Sequence, residues 1–196
     1  KMNSLVASEG VTIVDDSNYH SFGWTPIDDE ACEGMKTILI KNGIMHSFLH
    51  SRETASSMDV NPTGNSRTQS LHHTTMPRMT TTYIDNGDSS FDEIVSSIKE
   101  GYYLKGSRGG QVDTTKGEFL FNSVYGYYVK DGEIKHAVKN ASLLGNILQI
   151  LPTISLVAKD LEMSQGFCGK NGQIAPVGDG SPHVKIDSAR VGGSGD

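Results

Sequence analysis

The sequence predicts an α+β fold, mainly antiparallel β-sheet of barrel or sandwich-like form, with two or more short helices. Three observations predict it. Asn-Gly and Asp-Gly pairs recur at Asn42-Gly43, Asn86-Gly87, Asp131-Gly132, Asn171-Gly172 and Asp179-Gly180, and such pairs supply the positive φ angles of tight hairpin turns. Bulky residues alternate beside one of them, at Phe119, Phe121, Tyr125, Tyr127 and Val129, as a strand with one buried face requires. Helical spacing of apolar residues is confined to two short segments, which makes the class α+β.

In chain order, Val11 to Val14 reads as a short strand. Met35 to Ser51 reads as a hairpin, with β-branched or bulky residues on both sides of Asn42-Gly43. Arg52 to Met79, rich in Ser, Thr, Asn and His, reads as one long irregular stretch, of a length seen in functional or disordered loops. Ser90 to Lys99 predicts a helix: a serine cap, acids in the first turn, Phe91, Ile94, Val95 and Ile98 on one face, and Gly101 beyond the end. Glu118 to Val138 repeats the hairpin pattern around Asp131-Gly132. Leu143 to Leu151 reads as a second helix that Pro152 limits, and His183 to Ile186 as a last short strand.

The 196 residues suit one ordinary domain or two small ones. No apolar run approaches the ~20 residues of a membrane span, and the first residues are too polar for a secretory leader. Two distant cysteines make no disulfide framework. A net charge of −6 speaks against a nucleic-acid backbone as partner, since phosphate contacts draw on surplus Lys and Arg. A soluble, cytoplasmic protein without membrane or nucleic-acid partners is therefore expected.

Common catalytic patterns fail. The chain has no Walker phosphate loop, no Gly-x-Ser-x-Gly elbow and no His-Glu-x-x-His zinc helix. Gly106-Ser107-Arg108-Gly109-Gly110 reads as a flexible loop rather than an anion cradle. His72 and His73, adjacent in sequence, would point apart on a strand and seldom share one ion; they read as solvated loop residues. Cys32, among Asp28, Asp29, Glu30 and Glu33, reads as structural. Cys168 differs: glycines at 166, 169 and 172 let another group approach its backbone, and Lys170 favours the thiolate, the form that ligates metal or attacks as nucleophile. A buried, inert thiol is the plainer reading from spacing alone.

Five runs, in order, resemble the TldD/PmbA family, once labelled modulator of DNA gyrase. They are Pro77-Arg78-Met79-Thr80-Thr81-Thr82-Tyr83; Gly109-Gly110-Gln111-Val112-Asp113 with Gly117-Glu118-Phe119-Leu120-Phe121; Val138 to Asn146; Cys168-Gly169-Lys170-Asn171-Gly172-Gln173; and Pro176-Val177-Gly178 with Val191-Gly192-Gly193. The resemblance covers Thr37 to Gly193 and sides with the catalytic, TldD-like branch. It implies a zinc-dependent peptidase whose metal is held by two histidines of a His-Glu-x-x-x-His helix and by a cysteine matched here by Cys168. Three protein ligands leave a tetrahedral position for water, whose pKa zinc lowers.

That helix has no counterpart here, so residues 1–196 read as a single C-terminal domain lacking the N-terminal one. No catalytic residue is assigned within it, and zinc is expected to be held only in the full-length protein, since one thiolate cannot replace three ligands. The family usually has arginine where this chain has His72, and a histidine matching His73. His73 and Arg78 are the candidates for substrate binding. The resemblance further implies unfolded peptide as substrate, added as an extra strand to a sheet edge, and a related TldE/PmbA-type subunit, or a second copy, as partner. The alternatives are a subunit-assembly module with Cys168 merely buried, direct contact with DNA gyrase, and a thiol enzyme with Cys168 as nucleophile.

Overall fold

The computed structural model describes residues 2–194. The chain runs through β1 (Ile13–Asp16), β2 (Lys36–Lys41), β3 (Ile44–Met45), α1 (Arg52–Met58), β4 (Ser66–Arg67), β5 (Met76–Pro77), β6 (Thr81–Ile84) and α2 (Phe91–Ser96). It continues through β7 (Glu100–Asp113), β8 (Glu118–Lys130), β9 (Glu133–Asn146), α3 (Ile147–Ile150) and a 3-10 turn at Leu151–Thr153. β10 (Ile154–Val157), β11 (Glu162–Lys170), β12 (Gln173–Ser181), β13 (Val184–Ile186) and β14 (Arg190–Ser194) complete it. The fold is α+β and mainly antiparallel, and among the described residues no sheet closes into a barrel. No described helix is long and apolar enough to cross a membrane.

The chain forms two compact units. The first takes Val11–Asn86 and Leu161–Pro182, together with the residues before Val6. Its sheet has six strands in the order β11-β12-β6-β1-β2-β3, antiparallel throughout except where β12 runs parallel to β6. Val11, Val14, Ile40, Tyr83, Ala175 and Val177 are buried around it. Beneath lies a polar core: the Asp15 carboxylate, fully buried, accepts from Asn65 Nδ2 at 2.8 Å, Thr80 N at 2.8 Å, Thr80 Oγ1 at 2.6 Å and Thr82 Oγ1 at 2.6 Å. A buried carboxylate is tolerated only when donors replace its water in this way.

The second unit takes Val6–Gly10, Gly87–Asp160 and the residues from His183 onward. It holds a four-stranded sheet, β14-β9-β8-β7, and a two-stranded one, β10-β13. Val129, Ala141, Ile94, Ile150, Leu151, Ile154 and Val157 are among its buried apolar residues. At its margin Asp160 accepts from His183 N at 3.0 Å and pairs with His183 Nδ1 at 2.7 Å, while His183 Nε2 meets Tyr103 Oη at 2.9 Å.

Three local expectations are corrected. Leu143 to Asn146 are strand, because Leu143, Leu144 and Gly145 pair with Phe121, Leu120 and Phe119; the helix begins only at Ile147, where Asn146 caps it through Leu148 N. Gly106 to Gly110 belong to β7, not a loop, with a register shift between Ser107 and Gly110. A Cβ at Gly110 would lie 2.1 Å from the Leu120 carbonyl oxygen, so only glycine fits the bulge. The stretch from Arg52 to Met79 contains α1, started by a capping box between Ser51 and Thr54, and the short β4–β5 pair.

Candidate metal-ligand site

Asn171 and Gly172, at φ 50° and 74°, make the two-residue turn that joins β11 to β12, the conformation expected of an Asn-Gly hairpin. The turn fixes the register: Lys170 faces Gln173, Gly169 faces Ile174 and Cys168 faces Ala175. Lys170 and Gln173 are then a hydrogen-bonded pair, and so, two residues back, are Cys168 and Ala175. The main-chain groups of Gly169 and Phe167 therefore point out of the ladder. β11 is the edge of its sheet, so on that side they meet no strand among the described residues. On β12 the outward amide of Ile174 is satisfied by Gln69 Oε1 at 2.6 Å, which confirms the alternation.

Cys168 is half-buried near the tip of this hairpin. A Cβ added at Gly169, which would point to the face opposite the thiol, or at Gly172 in the turn would meet no atom within 4 Å, so the hairpin tip is open at those positions. The strand is held from below by arginines. Arg78, 2% exposed, donates from Nη2 to the carbonyls of Cys168 and Gln173. Arg67 Nη1 donates to Met79 O at 2.9 Å and Pro176 O at 2.8 Å. Burial first, and the neighbouring Arg78 charge second, pull the Arg67 pKa below the ordinary arginine value. Nε and Nη1 of Arg78 are buried without an acceptor among the described residues, a cost that packing alone does not explain. Lys170 Nζ does not reach for the thiol; it donates to Pro77 O at 2.8 Å.

His73 lies in the turn that joins β4 to β5, exposed, with its Nδ1 2.8 Å from Ser70 Oγ. The same loop is sewn to the hairpin by Gln173, so Cys168, Arg78 and the His73 loop come together in one unit. His72, also exposed, makes only a main-chain contact there, from its amide to Ser70 Oγ. Sequence reasoning missed Gln173 and Arg67 as site residues; Gln173 stands inside the Cys-Gly-Lys run that drew attention to Cys168, and that adjacency was the available signal.

Zinc requires soft or imidazole donors and, for catalysis, three protein ligands. A cysteine thiolate can serve as one such ligand; among the described residues Cys168 joins no group of three potential ligands. The group that does assemble is Asp28, Glu30 and Cys32, with ligand atoms within 4.8 Å of one another. Each is already engaged. Asp28 accepts from the amides of Glu30, Cys32 and Ser66, Glu30 from Arg52 N and Thr75 Oγ1, and Cys32 Sγ from Arg52 Nε at 3.4 Å. This acidic loop organises the chain around the Arg52 cation and the β4–β5 connection.

The family model for the PmbA/TldA metallopeptidase C-terminal domain matches residues 1–193. A protein of Methanothermobacter thermautotrophicus named a metalloprotease is 47% identical over 194 residues, covering 99% of this chain and 42% of that protein. A zinc metalloprotease TldD homolog of Saccharolobus solfataricus is 41% identical over 166 residues, covering 85% of this chain and 37% of its own length. The crystal structure of TldE from Thermococcus kodakarensis superposes with a TM-score of 0.75 at 25% identity, covering 98% of this chain and 42% of that one. The chain thus spans about two fifths of the length of such relatives.

Proposed function

Since this chain belongs to the family of PmbA/TldA metallopeptidase C-terminal domains, we propose that residues 1–196 act as one C-terminal domain that lends Cys168 to a catalytic zinc ion and forms part of the peptide cleft of a zinc-dependent peptidase. The observation that carries this is the hairpin tip: a half-buried thiol on an edge strand, uncrowded glycines at the turn next to it, and a main chain fixed by Arg78. The two remaining ligands come from outside the chain, on the His-Glu-x-x-x-His helix. Zinc, when bound, polarises the scissile carbonyl and acidifies its water.

The chain's own residues hold and orient. Cys168 offers a thiolate at a depth that Arg78 and the hairpin register set. The outward amide and carbonyl of Gly169 and Phe167 supply the main-chain pairing that an unfolded peptide needs to add as a strand, which gives affinity without demanding a sequence. His73 and Arg78 lie on the substrate side, His73 by its exposed ring and Arg78 through the strand it supports. The likeness to TldE supports a TldE/PmbA-type subunit, or a second copy, as partner, and the charge of −6 speaks against a nucleic-acid partner; a cytoplasmic role without a membrane partner belongs to the same reading. An assembly module is the second reading, favoured by exposed apolar side chains on the long sheet of the second unit, among them Val112, Val124 and Tyr125.

Cys168→Ser in the full-length protein separates the two. Loss of zinc and of peptidase activity with subunit assembly intact is the expected result; retained zinc with lost assembly overturns the metal-ligand reading.

A further inference from the structure

Gln173, 4% exposed at the start of β12, spends its whole side chain on the loop that carries His73. Its Oε1 accepts from Thr68 Oγ1 at 3.2 Å and from Gln69 N at 3.1 Å, and its Nε2 donates to Thr74 O at 2.9 Å. The loop answers through Gln69 Oε1, which accepts from Ile174 N. The ends of the loop are held elsewhere, Thr68 N by Asp29 Oδ2 at 2.7 Å and Thr75 Oγ1 by Glu30 Oε1 at 3.3 Å. Thr68 Oγ1 also reaches His73 O at 3.2 Å, closing the loop on itself. The acidic loop therefore fixes the two feet, and Gln173 fixes the span between them. A glutamine inserted this way is bonded to the loop at both its oxygen and its nitrogen, and buried side-chain networks of that kind specify one geometry at the expense of others. Gln173 is also five residues from Cys168 across a two-residue turn, and Arg78 Nη2 bonds the carbonyls of both.

We propose that Gln173 is a positioning residue: it ties the loop of residues 68–75, and with it the His73 imidazole, to the hairpin that bears Cys168, so that the substrate-side wall and the metal ligand keep one spacing. The inference rests on the reading of Cys168 as ligand. Ser70 occupies Nδ1 of His73, which leaves the ring's other nitrogen as the one free to bond a peptide. Without Gln173 the feet stay anchored while the span frays, so binding suffers before the metal site does.

Gln173→Ala in the full-length enzyme tests this with three readouts. Zinc content per chain stays unchanged. KM for an unfolded polypeptide rises about tenfold while kcat stays within about threefold. Hydrogen exchange of amides 69–75 accelerates at least about tenfold, with β11–β12 still protected. Unchanged KM with accelerated exchange overturns the proposal, because the loop then contributes nothing to substrate. Lost zinc overturns it too, since the side chain then serves the ligand strand. Where Gln173→Ala does not fold, Gln69→Ala, at the exposed side of the same seam, takes its place: a smaller rise in KM in the same direction is expected, and faster exchange with unchanged KM rejects the role. Failure of the underlying reading shows separately, as zinc retained by Cys168→Ser, whatever the Gln173 variant does.

Discussion

Asp15 illustrates what a single buried side chain can hold together. Four donors from three residues converge on its carboxylate, which has no solvent to fall back on. Asp15→Asn turns an acceptor into a donor among donors, and a loss of about 3 kcal/mol is expected, read from the urea midpoint. Asp160 offers a pH test. Burial works against ionisation there, yet the amide and ring of His183 outweigh it and hold Asp160 below the ordinary aspartate value of 3.8. A depressed folded pKa gives stability that is present above the unfolded pKa near 4 and lost as pH falls through the folded value. Asp160→Asn should therefore flatten the acid limb of the stability profile below pH 4, and at pH 7 cost less than about 1 kcal/mol, since the pair is partly solvated. Neither aspartate announced itself in the sequence. Their partners lie 65 and 23 positions away, and no local spacing encodes such contacts. Cys168 became a candidate through the family resemblance, since its flanking glycines alone left an inert thiol the plainer reading; Gln173, in the same run, went unnoticed because a glutamine's importance lies in where its amide points.

At the scale of elements, legibility followed turn chemistry. Asn42-Gly43, Asp131-Gly132 and Asn171-Gly172 all adopt the positive φ angles that the residue types demand, and the strands beside the first two were readable from them. The serine cap of α2 was equally plain, and the structure closes it with Glu93 into a capping box. α1 was hidden, since its seven residues bury only Ala55 and show no apolar stripe. Leu143 and Leu144 misled for the opposite reason: a short apolar run fits helix or strand alike, and cross-strand pairing with Phe121 and Leu120 decided it. Gly172→Ala should cost about 1 kcal/mol purely through its φ of 74°, as nothing crowds the added methyl; thermal denaturation measures it. Gly169→Pro should leave the fold intact, because the amide it removes faces the open edge. In the full-length enzyme with zinc content unchanged it should raise KM for unfolded peptide, and an unchanged KM would show that substrate does not pair with β11.

For the molecule as a whole, the family and the fold class were readable, while the division into two units was not. Turn pairs report reversals, and nothing in them says which strands share a sheet. The isolated chain should release zinc to a mild chelator in a metal-binding titration, since it contributes one thiolate where a stable site needs three ligands or more; tight stoichiometric zinc would mean that further ligands reside in these residues. The backbone passes from one unit to the other after Leu5, Gly10, Asn86, Asp160 and Pro182. Two bodies threaded by the same string cannot be parted with one snip: a protease nick at any single junction leaves both halves tethered, and an expression fragment bounded by two cuts always robs its neighbour of a strand or a foothold. Shuffling of modules among relatives would accordingly have to move the pair together.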